Sequence, residues 1–122
     1  MTNPHALIVD DDIAQRTMLA SMLRQLGCTT SEASDPANAL RMLGQDDSIN
    51  IVFTDVLLPG MSGVVFLARV RERFPVIPVV VLSASDFDQW GQMAMHGGAS
   101  FCLQIPFFKA DLLASLQAAQ VE

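Results

Sequence analysis

The chain has 122 residues, 51% of them hydrophobic and 16% charged, with a net charge of −6. That supplies the core of one domain over residues 1–122, excludes a disordered chain, and argues against direct contact with nucleic acid or an anionic membrane. The start, Met1 to His5, has neither the basic nor the apolar region of a signal peptide, and the apolar runs are only strand-length, so a cytoplasmic protein is expected.

Residues 7–10 form an apolar run of the buried parallel-strand type that ends in Asp10, Asp11 and Asp12. Leu19, Met22, Leu23 and Leu26 follow with i, i+3, i+4, i+7 spacing, a helix that stops at Gly27. Asp12 suits the N-cap of that helix better than a ligand role. Residues 28–32 read as a short strand. Asp35 and Pro36 supply the N-cap and N1 of a second helix, with Ala39, Leu40 and Leu43 inward and a stop at Gly44. Residues 49–54 are a third strand, closed by Asp55. The turn from Pro59 to Gly63 leads into a helix through Leu67, Val70 and Phe74. Residues 79–82, the most β-branched run, predict a central strand. Residues 86–96 predict a weaker helix with Trp90 and Met93, and His96 before Gly97 and Gly98 suits its C-terminus. Residues 101–104 are the last strand, and 109–119 a closing helix with Leu112, Leu113 and Leu116 inward.

Five strand–helix units with right-handed crossovers predict an α/β, flavodoxin-like doubly wound sheet of five parallel strands, order 2-1-3-4-5, with five helices. Parallel strands end on one edge, so Asp10–Asp12 and Asp55 should meet at the carboxyl-terminal rim, between the first and third strands. Carboxylates crowded there repel one another unless a proton or a cation intervenes, and oxygen ligands of this kind suit Mg²⁺. The same strand order puts Cys28 and Cys102 on opposite edges, too far apart to bridge, so both read as small hydrophobes. His5 opens the first strand with no partner residue type near it in sequence.

Five motifs occur in order: Ile8-Val9-Asp10-Asp11-Asp12; Asp55 through Pro59-Gly60-Met61-Ser62-Gly63; Leu82-Ser83-Ala84; Gly98-Ala99-Ser100; and Pro106-Phe107. With them the whole chain resembles the receiver domains of two-component response regulators. The resemblance implies a regulatory protein rather than an enzyme, with at most Mg²⁺-dependent self-phosphorylation from a donor and self-dephosphorylation. It implies that Asp55 is the phosphoacceptor, supplied by a histidine kinase or phosphotransfer protein. Asp10 and Asp11, with Asp55 and the backbone carbonyl of Leu57, would hold Mg²⁺. Ser83 would be the hydroxyl that turns toward the phosphoryl group, and the Ala84 N–H would bind the same group. Leu57 and Ser85 occupy positions that shape water access, and a leucine there predicts slow hydrolysis. The face of the fourth helix, last strand and last helix would bind an output domain or protein, or a second copy. Phe107, Phe108, Trp90 and Met93 are candidates for that region.

Two positions depart from the family. The lysine expected before Pro106 is Ile105, and the only lysine, Lys109, falls at the start of the last helix. The switch aromatic of the last strand is Cys102, while Phe101 points to the opposite face. Asp10, Asp11, Asp55 and Ser83 favour a phosphorylatable receiver with a detuned switch. Ile105 and Cys102 favour a pseudo-receiver that binds partners without phosphorylation. A third reading takes Asp10-x-Asp12 as a haloacid-dehalogenase-like phosphatase signature, with Asp10 the nucleophile. It wants Thr or Val where Ala14 stands, and a lysine and later acidic pair that are missing. Arg69, Arg71 and Arg73 read as a solvated helix end.

Overall fold

The apolar runs and helical stripes fold as expected, into helices on both faces of one sheet. The computed structural model describes residues 3–58, 60–84 and 87–119, apart from the side chains of residues 87 and 88. In chain order the elements are β1 (His5–Val9), α1 (Ile13–Gln25), β2 (Thr29–Ala33), α2 (Pro36–Gln45), β3 (Ile51–Asp55), β4 (Leu57–Leu58), β5 (Met61–Ser62), α3 (Gly63–Arg73), β6 (Val79–Ser83), α4 (Phe87–His96), β7 (Phe101–Gln104) and α5 (Lys109–Ala119). The main sheet runs β2-β1-β3-β6-β7, parallel throughout. With the two-residue ribbon β4/β5 set aside, this is the 2-1-3-4-5 order. The β-branched β6 is buried along its whole length and lies between β3 and β7, but the middle strand of the five is β3.

Strand alternation divides the core in two. Leu7, Val9, Val52, Val79 and Val81 face a cluster completed by Ala39, Leu43, Phe66, Leu67, Val70 and Ala94, from α2, α3 and α4. Ala6, Ile8, Ile51, Phe53, Val80, Leu82 and Leu103 face the other cluster, with Leu19 and Leu23 of α1 and Leu112 and Leu116 of α5. Each fully buried side chain of this size contributes roughly 1.5–3 kcal/mol, so both faces of the sheet are firmly covered. Cys102 packs on the first side and Phe101 on the second, as their alternation requires.

The caps follow the sequence. Asp12, Asp35 and Ser62 accept backbone N–H bonds at the starts of α1, α2 and α3, and Pro36 sits in the first turn of α2. The α4 helix ends where Gly98 takes φ +99°, with the Ala99 N–H bonded to the Ala94 carbonyl.

Several expectations are corrected. Leu113 is exposed, because α5 turns Leu112, Ser115 and Leu116 inward, and the Ser115 hydroxyl is satisfied by the Leu112 carbonyl at 2.6 Å. Gly44 does not stop α2, which runs on to Gln45 and closes with the Asp46 N–H on the Met42 carbonyl. Cys28 precedes its strand, its N–H bonded back to Leu23. Arg71 is no solvated end: it is half-buried and donates to the Ile77 carbonyl at 3.1 Å. His5, with no partner near it in sequence, is bonded across the sheet to Thr29 and Ser31 at 2.6 and 2.7 Å, partners that its sequence neighbourhood does not reveal. Pro59, Ser85, Asp86 and the side chain of Phe87 lie outside the described residues.

Candidate functional site

Asp10 follows β1 directly and Asp55 ends β3, and the two strands are paired, with Val9 opposite Thr54. The pairing puts both carboxylates at the carboxyl-terminal edge of the sheet. Each uses one oxygen to hold its own loop: Asp10 Oδ1 accepts the Asp12 N–H at 2.9 Å, and Asp55 Oδ1 accepts the Leu57 N–H at 3.0 Å. The second oxygen of each is met by the amide nitrogen of Gln15. Gln15 Nε2 donates to Asp10 Oδ2 at 2.5 Å and to Asp55 Oδ2 at 3.3 Å. The carboxylates are acceptors only, so the amide must present its nitrogen to them.

Arg16, on the next position of α1, steadies the same corner from outside. Its Nη1 donates to the Asp10 carbonyl at 2.6 Å, and its Nε pairs with Glu32 at 3.0 Å. Gly63 closes the opposite side. A Cβ there would overlap the Asp55 carbonyl oxygen and come within 2.7 Å of the Val56 Cα, and its N–H bonds the Val56 carbonyl at 2.7 Å. Only glycine allows α3 to start this close to the Asp55–Val56 backbone.

Asp10 is 3% exposed and Asp55 half-buried. Burial, foremost, pushes both carboxyls above the ordinary range. The charge of Asp55 then raises Asp10, and that of Asp11 raises both, while the hydrogen bonds to Asp12, Leu57 and Gln15 pull back. Asp11 itself is exposed. Among the described residues no three His, Cys, Asp or Glu side chains are already gathered as a metal site. The donors are nevertheless all hard oxygens, and Asp10 and Asp55 carry a repulsion that a cation would relieve, so their chemistry fits Mg²⁺.

The other half of the rim is built differently. Ser83 ends β6 and is buried, opposite Gln104 of β7; Ala84 beyond it is exposed. Ile105 follows β7, its N–H bonded to the Ser83 carbonyl at 2.9 Å, its side chain packed on the α1/α5 cluster, and its peptide bond to Pro106 cis. Lys109 is exposed at the start of α5. Cys102 is half-buried, its thiol against the Gly91 carbonyl at 3.5 Å, beside a cavity of about 340 Å³ lined by Gly91, Gln92, Met95, His96 and Cys102. Phe108 is 82% exposed, whereas Phe107 and Trp90 are half-buried against the core. Motif spacing does not single out Gln15 or Arg16. The one available signal is Asp12-x-x-Gln15, a capping-box spacing.

The family model for the response regulator receiver domain matches residues 6–117. The chain belongs to that family. Curated relatives include the two-component response regulator ARR17 of Arabidopsis thaliana, 30% identical over 88% of this chain and 79% of that protein. The sensor histidine kinase RcsC of Salmonella typhimurium is 34% identical over 82% of this chain, which matches 10% of the kinase. Among solved structures, a receiver domain protein from Clostridium thermocellum superposes with a TM-score of 0.90 at 26% identity, covering 95% of this chain and 93% of that one. The chemotaxis response regulator CheY4 of Vibrio cholerae gives 0.86 at 28% identity, over 97% and 99%. Receiver domains of this kind are regulatory parts of phosphorelay signalling, not classical enzymes. No helix among the described residues is long and apolar enough to cross a membrane.

Proposed function

We propose that residues 1–122 form one cytoplasmic receiver unit that takes a phosphoryl group onto Asp55 from a histidine kinase or phosphotransfer protein. The observation that carries this reading is the meeting of Asp10 and Asp55, from separate strands, on the amide of Gln15. Asp55 keeps one oxygen in a fixed bond with the Leu57 N–H, which supports a carboxylate held still for in-line attack on phosphorus. Asp10, Asp11, Asp55 and the carbonyl of Leu57 would hold Mg²⁺, which when bound neutralises the oxygens of the transferring group. Ser83 and the N–H of Ala84 would receive the phosphoryl oxygens on the far side. The side chain of Leu57 is 59% exposed at the acceptor loop, an apolar neighbour that disfavours an ordered attacking water, which supports slow hydrolysis. The response would leave through α4, β7 and α5 to an output domain or protein, or to a second copy.

A pseudo-receiver is the second reading. Ile105 offers no cation to a phosphoryl group, and Cys102 leaves a cavity beside Gly91 on the face that would carry the response. The two readings separate by intact-mass spectrometry after incubation with Mg²⁺ and a small-molecule phosphodonor. One added phosphoryl group in the wild type, and none in Asp55→Asn, is the expected result. No gain in folded protein would favour the pseudo-receiver, and a gain that survives Asp55→Asn would move the acceptor elsewhere.

A further inference from the structure

We infer that Gln15 is a positioning residue that occupies the cation's place, and that its amide sets how tightly this site binds a divalent metal. The inference rests on the reading of Asp10 and Asp55 as metal-holding carboxylates.

Three observations converge on it. Asp12 caps α1 through bonds to the Ala14 and Gln15 N–H groups, so Gln15 is fixed in the first turn, above the carboxyl-terminal rim. In an ordinary capping box the glutamine at this position reaches back to the cap residue's own N–H. Here Asp10 Oδ1 already takes that N–H, and the Gln15 side chain is released to point across the rim. Its amide nitrogen then contacts Oδ2 of Asp10 and Oδ2 of Asp55, the oxygens that the backbone leaves over. Two N–H groups, one for each carboxylate, use the full donor capacity of the amide.

A divalent cation held by Asp10 and Asp55 would draw on the same two carboxylates. The amide's two bonds and such a cation would therefore compete, and loading the site would require those bonds to be given up. Among the described residues no ion pair reaches either carboxylate, since the Arg16 guanidinium is engaged by Glu32 and the Asp10 carbonyl. Gln15 is therefore a neutral placeholder: it lowers the free energy of the metal-free site and correspondingly weakens metal binding.

The test uses two substitutions with opposite expected signs, Gln15→Met and Gln15→Lys, in the full chain. Mg²⁺ alone is titrated and followed by calorimetry and by the backbone amide shifts of Asp12 and Leu57. Gln15→Met keeps the length and removes the donor, so Mg²⁺ should bind about three- to tenfold more tightly. Gln15→Lys sets a permanent cation in the same place and should weaken binding about tenfold or more. Unchanged affinity in folded Gln15→Met, or tighter binding in Gln15→Lys, overturns the inference while leaving the metal site intact. If the wild type shows no Mg²⁺ binding that Asp11→Asn weakens, the metal reading fails and the inference falls with it. Should one variant not fold in a chelator, the other decides alone, because each has its own sign.

Discussion

The two halves of the rim are made on different terms. On the β1/β3 side the buried and half-buried carboxylates are held: Asp10 and Asp55 are each bonded by a loop N–H, Gln15 joins them, Arg16 braces the Asp10 carbonyl, and Gly63 lets α3 approach. On the β6/β7 side the corresponding positions are apolar or small: Ile105 packs into the α1/α5 cluster, and Cys102 leaves a cavity beside Gly91. Accepting a phosphoryl group and transmitting its arrival are thus separable demands. The first needs oxygens held at fixed points. The second needs a charged or aromatic group that has somewhere to move. On the proposed reading this chain has held oxygens for the first, and Ile105 and Cys102 where the second would need such a group.

The contrast breaks most sharply at Gly63. Gly63→Ala forces backbone against backbone, with no flexible neighbour to yield, and should cost about 2–3 kcal/mol in chemical denaturation. An alanine that costs nothing would mean the β1/β3 side is less tightly built than its geometry implies. Ile105→Lys works on the other half. A lysine there should stabilise the phosphorylated or beryllofluoride-bound form by about 1.5–3 kcal/mol, read as a longer phosphoryl lifetime and larger shifts at Ser83. No change would place the proposed detuning of the switch at Cys102 instead. Arg16→Ala removes one bond to the Asp10 carbonyl and one partly exposed ion pair, and should cost about 1 kcal/mol of stability while also weakening Mg²⁺ binding. A loss confined to stability would make Arg16 part of the scaffold only.

The smallest effect concerns pH. Burial and the charge of Asp11 raise the Asp55 carboxyl, so folding favours its protonated form. Its contribution is complete below the ordinary carboxylate pKa and is lost as pH rises through the raised value. At neutral pH, in a chelator, Asp55→Asn should therefore melt a few degrees above the wild type. That advantage should shrink as pH falls into the carboxylate range. A difference that stays constant with pH would show that charge is not its cause.

The fold was legible because both of its periodicities are strong. Buried parallel strands appear as unbroken apolar runs, and Asp12, Asp35, Pro36 and Gly98 mark helix ends by local chemistry alone. Errors came where one residue in a stripe had to be assigned a side. Leu113 reads as apolar and is exposed, while Ser115 is buried because its hydroxyl can bond within its own helix. The spacing of Asp10, Asp55 and Ser83 likewise carried their placement at one rim, since a parallel sheet brings all its strand ends to one edge.

What could not be read along the chain depends on contacts across long separations. Gln15 and Asp55 are 40 residues apart, and neither position hints at the other. His5 lacks a neighbour in sequence and gains two across the sheet. Composition, periodicity and motif spacing established the layers, the strand order and the acidic rim, because these follow from burial and backbone geometry. Which side chain settles between the carboxylates was decided only by folding, because an amide's hydrogen-bond partners depend on what the assembled strands and helices bring within reach.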